Sequence, residues 1–291
     1  EIWIHKQERF TLNVNYFHVV FTIPNELNVL CLIDPKFMYK ALFDVSAETI
    51  KELSKDKKYL GAKIGFTSVL HTWGQNLSLH PHIHMIVPGG GIDSNGKWKN
   101  SKKKFFLPVK VVSKLFKGKF LSYTKKNFDQ RKIKDKEQFQ EIINSCYSKD
   151  WVVYTKKPMK SAKHVVKYLG RYTHRIAISN ARIKKYEDNK VTFSYKDYSN
   201  HNQIKEMTLD DTEFFRRYMM HVLPSNFMKI HHYGFLGNRN KEERIKAIRT
   251  ATNTKDPGSF LIDYEQIISD ILKRDVSICI KCGQKRHHKL E

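Results

Sequence analysis

The chain has 291 residues and a formal charge of +24, from 53 Lys and Arg against 29 Asp and Glu. Hydrophobic residues make up 40 % and aromatics 12 %, enough for a real core and too much for wholesale disorder. That charge excludes an ordinary enzyme of small metabolites and implies a polyanionic partner, most simply nucleic acid.

Taken in chain order, residues 1–13 read as the end of a helix that began upstream. Tyr16 to Ile23 is β-branched and aromatic and reads as a buried strand, ended by Pro24-Asn25. Asn28 to Leu60 has helical periodicity, with two or three helices broken near Pro35. Lys63 to Trp73 is a second strand and 82–88 a third; the short polar link between them suggests an antiparallel pair. Asp93-Ser94-Asn95-Gly96 marks a turn. Beyond it, Lys97 and Lys99 could track phosphates while Trp98 stacks on a base, with a solvated hairpin tip as the plain alternative. Residues 109–147 read as helical and very basic. Trp151 to Thr155 is a strand, 161–172 a helix and Arg175 to Ser179 another strand. Ala181 to Tyr186 and Val191 to Tyr195 form a hairpin, and Gln203 to Leu209 is a further strand. From Asp210 the chain turns helical: a stripe of Phe214, Phe215, Tyr218, Met219 and Val222, then helices near 239–251 and 260–273. No apolar run approaches the roughly 20 residues needed to cross a bilayer, and the start, Glu1 to His5, lacks a signal-peptide pattern. Four cysteines argue against a disulfide framework. Cys31 and Cys146 read as buried thiols, and the expected location is cytoplasmic, with the nucleoid.

Two stretches carry chemistry. In His80-Pro81-His82-Ile83-His84, side chains two apart on a strand share a face, so His82 and His84 project together and form half of a metal site. Two ordinary histidines are the plain alternative. On the 161–172 helix, Tyr168 and Tyr172 lie one turn apart with His164 on the same face, while Val165, Val166 and Leu169 take the other side. A core stripe is the plain alternative here. A phenol, with a pKa of about 10, is a weak nucleophile at neutral pH. It can attack a phosphodiester when a divalent cation polarises the phosphate and nearby cations lower its pKa. A histidine metal site, a phenol pair and a basic chain thus fit one reaction: single-strand DNA cleavage through phosphotyrosine, then religation without ATP.

The run from His71-Thr72-Trp73-Gly74-Gln75 through His80–His84 to Gly89-Gly90-Gly91 resembles rolling-circle insertion-sequence transposases of the HUH paired-tyrosine class. Matching segments in order are Tyr16 to Pro24, Tyr168 to Arg175, His221 to Pro224 and His232 to Leu236. The resemblance implies an α+β fold: an antiparallel sheet of about five strands, the histidine strand central, helices on its faces and a helical C-terminal extension. It implies a remnant helix at 1–13, a nuclease domain at 14–209, an extension at 210–278 packed on it, and a Cys-x-x-Cys tail at 279–291. It implies Mg²⁺ or Mn²⁺ on His82, His84 and a third polar residue. Gln75 is nominated, because related nickases place a carboxylate or amide near that position; His71 and His80 compete. His80 is read as second to the ligands, with Pro81 marking the strand start. Tyr168 and Tyr172 become the nucleophiles, Arg171 and Arg175 phosphate clamps, and single-stranded transposon ends and target the partners. The family's N-terminal zinc module is expected to be missing, which suggests a truncated or decayed copy. Cys279 and Cys282 are half of a zinc knuckle that His287 and His288 could complete with Zn²⁺. Competing readings are a replication initiator or relaxase-like nickase, a non-catalytic DNA-binding remnant, and a His-x-His metal hydrolase.

Overall fold

The computed structural model describes residues 9–102, 107–133, 135–159, 170, 177–198, 200–255 and 264–285. The β-branched and aromatic run after Asn15 forms β1 (Tyr16–Thr22). Helices α1 (Asn28–Ile33) and α2 (Pro35–Lys55) are divided at Asp34. The Asp34 carboxylate accepts from the Phe37 N–H at 3.0 Å, and Pro35 takes the first helical position, where its missing donor costs nothing. Strands β2 (Phe66–Trp73) and β3 (Leu79–Pro88) follow, then the small hairpin β4 (Gly90–Ile92) and β5 (Trp98–Asn100). The basic stretch expected as one helical region splits into α3 (Val109–Asn127) and α4 (Lys136–Ser148), the second capped by the Asp135 carboxylate on the Glu137 N–H. Next come β6 (Val153–Met159), β7 (Ile183–Glu187), β8 (Lys190–Asp197), β9 (Gln203–Asp210) and α5 (Asp211–Met219). The described chain closes with β10 (Ile230–Tyr233), α6 (Lys241–Ala251) and α7 (Tyr264–Leu272).

The architecture is α+β. Five strands form one antiparallel sheet in the order β10-β2-β3-β1-β6, with the histidine strand β3 at its centre. One face is the core. Phe17, Val19 and Phe21 of β1, Phe66 and Leu70 of β2, and Ile83, Met85 and Val87 of β3 pack against α2, α3 and α4. Those helices contribute Met38, Leu42, Phe43, Phe116, Phe120, Phe139 and Ile143. Each such side chain stabilises the fold by about 1.5–3 kcal/mol on burial. The other face of the same strands carries the histidines.

Three features differ from the sequence expectation. First, β3 begins at Leu79, so Pro81 lies inside the strand and does not mark its start. The ladder tolerates it there: the pairing with β2 shifts register between His71 and Trp73, and the pairing with β1 ends at His82. Second, residues 177–179 form no strand, and Ala177 has φ +53°. Third, β7, β8 and β9 form a separate three-stranded sheet, and the central sheet takes its fifth strand from β10. Asp188 and Asn189 join β7 to β8 with φ of +50° and +57°, the left-handed pair that a two-residue hairpin needs. Phe193 and Val191 of this small sheet enclose Leu77 and Phe214 in a second core. Of the stripe read on α5, Phe214 is buried while Phe215 and Met219 are exposed. No described helix is long and apolar enough to cross a membrane.

Candidate metal centre

Register decides which side chains meet on the open face of the sheet. His82 lies opposite His71 of β2 and Thr22 of β1; His84 lies opposite Val69 and Val20; Ile86 lies opposite Thr67 and His18. Directly opposed residues of antiparallel strands project to the same face. His71, His82, His84 and His18 are therefore gathered from three adjacent strands. One ring nitrogen from each of His71, His82 and His84 lies within 4.8 Å of the others, the only such donor group among the described residues. The His71 ring centroid is 4.5 Å from that of His84 and 5.3 Å from that of His82.

The hydrogen bonds define which nitrogens are available. His82 Nδ1 lies 2.6 Å from the His80 carbonyl. A carbonyl only accepts, so Nδ1 carries the proton and Nε2 presents a lone pair. That Nε2 faces His84 Nε2 at 3.0 Å. Burial, opposed by the His80 carbonyl, pushes the His82 imidazole down to about 4. The His84 pKa falls well below its usual value, first through burial and then through the neighbouring rings of His82, His71 and His18. The rings of His82 and His84 are consequently neutral at pH 7, the form in which imidazole binds a metal. The donor set fits a divalent ion.

The surroundings hold these rings in place. Trp73 stacks on His71 with centroids 4.6 Å apart and planes 18° apart. Lys229 Nζ sits 5.1 Å from the Trp73 ring centroid, and burial lowers its pKa to about 8. The link between β2 and β3 is gripped from the small-sheet side at three successive carbonyls. Arg182 donates to Gln75, Arg217 to Asn76 at 3.3 Å, and His221 Nε2 to Leu77 at 3.1 Å. His221 Nδ1 is left to accept from the Thr72 hydroxyl at 3.2 Å.

Residues 65–244 match the family model Y2_Tnp, described as "Putative transposase". The chain belongs to the Y2_Tnp transposase family. A "Putative transposase y4qJ" of Sinorhizobium fredii is 38 % identical over 300 residues, covering 97 % of this chain and 74 % of the relative. The "Transposase for insertion sequence element IS801" of Pseudomonas savastanoi pv. phaseolicola is 27 % identical, covering 97 % of this chain and 69 % of the relative. No solved structure matches.

The other residues singled out in the sequence of this transposase have distinct fates. Tyr168, Tyr172, Arg171 and Arg175 lie outside the described residues, as do His287 and His288. Gln75 sits in the gripped link, its carbonyl on Arg182. His80 serves His82 through its main-chain carbonyl. Lys97 and Lys99 are exposed at the β4–β5 hairpin. The Trp98 ring packs over Gly90 and 5.9 Å from Phe235, and its indole N–H donates to Asn100. Cys279 and Cys282 flank a tight turn in which the Gly283 N–H donates to the Cys279 carbonyl at 2.8 Å. They supply two of the four donors that a structural zinc site requires. Cys31 and Cys146 are buried thiols. His71, one of the competitors for the third ligand, and His18, which no sequence pattern singled out, each stand alone in their own strand and reach the pair through cross-strand register.

Proposed function

We propose that this transposase nicks and rejoins single-stranded DNA through a 5′-phosphotyrosine, in the manner of HUH nucleases, with His71, His82 and His84 holding a divalent ion. The observation that carries the reading is the cluster of three imidazoles on the central strands of a transposase-family chain. A bound ion would polarise the scissile phosphate. His82 and His84 present Nε2 to it, and His71 supplies the third nitrogen in preference to Gln75. Three nitrogens and no carboxylate suit Mn²⁺ better than the harder Mg²⁺. Tyr168 and Tyr172 act as the nucleophiles. One cleaves the donor strand and keeps its 5′ phosphate; the other serves the second cleavage. Arg171, Arg175 and Lys229 neutralise phosphates near the reaction, while Lys97 and Lys99 hold strand further out.

The test is incubation with labelled single-stranded oligonucleotide and Mn²⁺, followed by denaturing electrophoresis. A protein-linked label resistant to SDS is expected, and it should vanish in the Tyr168→Phe, Tyr172→Phe double variant. No adduct in the native protein, or an adduct surviving in the double variant, overturns the tyrosine mechanism.

A further inference from the structure

Beside the three clustered rings stands a fourth histidine that belongs to the β1 strand and is 4 % exposed. His18 Nε2 lies 2.8 Å from His84 Nδ1. The two ring planes are within 10° of parallel and their centroids are 5.0 Å apart. Nitrogens this close cannot belong to rings stacked face over face, which would hold them a ring thickness apart. The centroid distance equals the N···N distance plus a ring radius at each end. The rings therefore meet edge to edge, nearly in one plane, with each nitrogen lone pair or N–H aimed along the line between them.

This geometry constrains the protons. Without an ion, one arrangement satisfies these three nitrogen contacts with neutral rings. His18 Nε2–H donates to His84 Nδ1, His84 Nε2–H donates to His82 Nε2, and His82 Nδ1–H donates to the His80 carbonyl. A metal-binding His84 needs its Nε2 lone pair free. Its proton must then sit on Nδ1, and His18 Nε2 must change from donor to acceptor. The count is conserved: each ring keeps one proton, moved from Nε2 to Nδ1 on both His84 and His18. His82 needs no change, because its Nδ1 already donates to a carbonyl.

We propose that His18 is a positioning residue for the metal centre: as acceptor for His84 Nδ1–H it fixes the tautomer and ring plane in which His84 binds the ion, and it switches tautomer when the ion enters. The inference rests on the proposed metal-binding role of His71, His82 and His84. It assigns a task to the histidine of β1, which contributes no donor to that cluster.

Mn²⁺ binding to the full chain, followed by EPR of the free ion, tests it with four proteins. Native protein should bind and His82→Ala should not; if the native protein fails to bind, the metal reading itself falls. His18→Phe, which keeps a planar ring and removes the acceptor, should bind about 10–100-fold more weakly. His18→Gln, whose amide oxygen can accept, should recover most of the loss. Native-like Mn²⁺ affinity in His18→Phe overturns the proposal while leaving the metal site standing. Should His18→Phe not fold, the native protein still decides. In ¹⁵N-histidine-labelled protein, adding diamagnetic Zn²⁺ should move the proton of both His18 and His84 from Nε2 to Nδ1. An unchanged His18 tautomer refutes the switch.

Discussion

Leu77 gives its main-chain carbonyl to His221 Nε2 at 3.1 Å while its own side chain is fully buried in the core of a different sheet. Its backbone is left-handed, φ +63°, a conformation rare for a bulky residue. The contacts around it account for its persistence: with Arg182 on Gln75 and Arg217 on Asn76, the whole link is fastened. The link joins the strand of His71 to the strand of His82. Its fixed path sets the register that brings the two rings together.

Loosening this grip should reach the candidate metal centre. Arg182→Met keeps bulk and removes the donors to Gln75 and Ser194. The expected cost is about 1–3 kcal/mol of unfolding free energy, read by denaturant titration, because hydrogen bonds from charged groups are lost. Mn²⁺ affinity should fall with it. Native affinity in a destabilised variant would show that the link does not position His71.

The choice of third ligand is open to direct measurement. His71→Ala should weaken Mn²⁺ by more than the ~10–100-fold typical of residues behind the ligands. Gln75→Ala should change it little, since the contact that Gln75 makes with Arg182 is through its main chain. The reverse ranking in a Mn²⁺ titration would return the role to Gln75.

Glu213 gives a pH-dependent prediction. Hydrogen bonds from Arg216 and then Arg217 hold its carboxyl down at about 2. A depressed carboxylate pKa contributes stability that is present above the unfolded value near 4.5 and is lost as pH falls toward 2. Glu213→Gln should flatten that acid limb of the stability curve and leave the curve above pH 5 parallel to native. An unchanged acid limb would exclude these ion pairs as its source.

Gly234 is the residue that seats the fifth strand. It follows Tyr233 with φ +60°, and a Cβ there would lie 1.8 Å from the Ile64 carbonyl oxygen. Gly234→Ala should cost about 2–4 kcal/mol, from the left-handed backbone and the clash together. Hydrogen exchange should locate the loss at β10 and its partner β2. Protection equal to native in both strands would contradict this.

The legible parts of the fold were those written in local periodicity. The alternation along 82–88 gave both the core row of Ile83 and Met85 and the paired histidines, and the structure keeps both. Asp34-Pro35 gave the helix break. What stayed hidden depends on partners far along the chain. The β10 segment, Ile-His-His-Tyr, is short and only half-buried, and it becomes a strand by pairing with Phe66–Val69. His71 could be offered only as a competitor to Gln75, and His18 not at all, because each meets the pair through a register that no local pattern encodes. The hairpin around Asp188-Asn189 was readable from its turn residues, but its membership of a separate sheet is set by how Phe193 packs on Leu77 and Phe214.

The grip on the link also imposes an order in time. Leu77 and His221 are 144 residues apart, so on a ribosome adding roughly 5–20 residues per second the histidines emerge on the order of ten seconds before the last donor that fastens them. During that interval the nascent chain carries all the ring nitrogens of the cluster without the scaffold that aligns them. Synthesis thereby acts as a delay on a protein that acts on DNA: alignment of the cluster waits until the small sheet and the residues after it have been made.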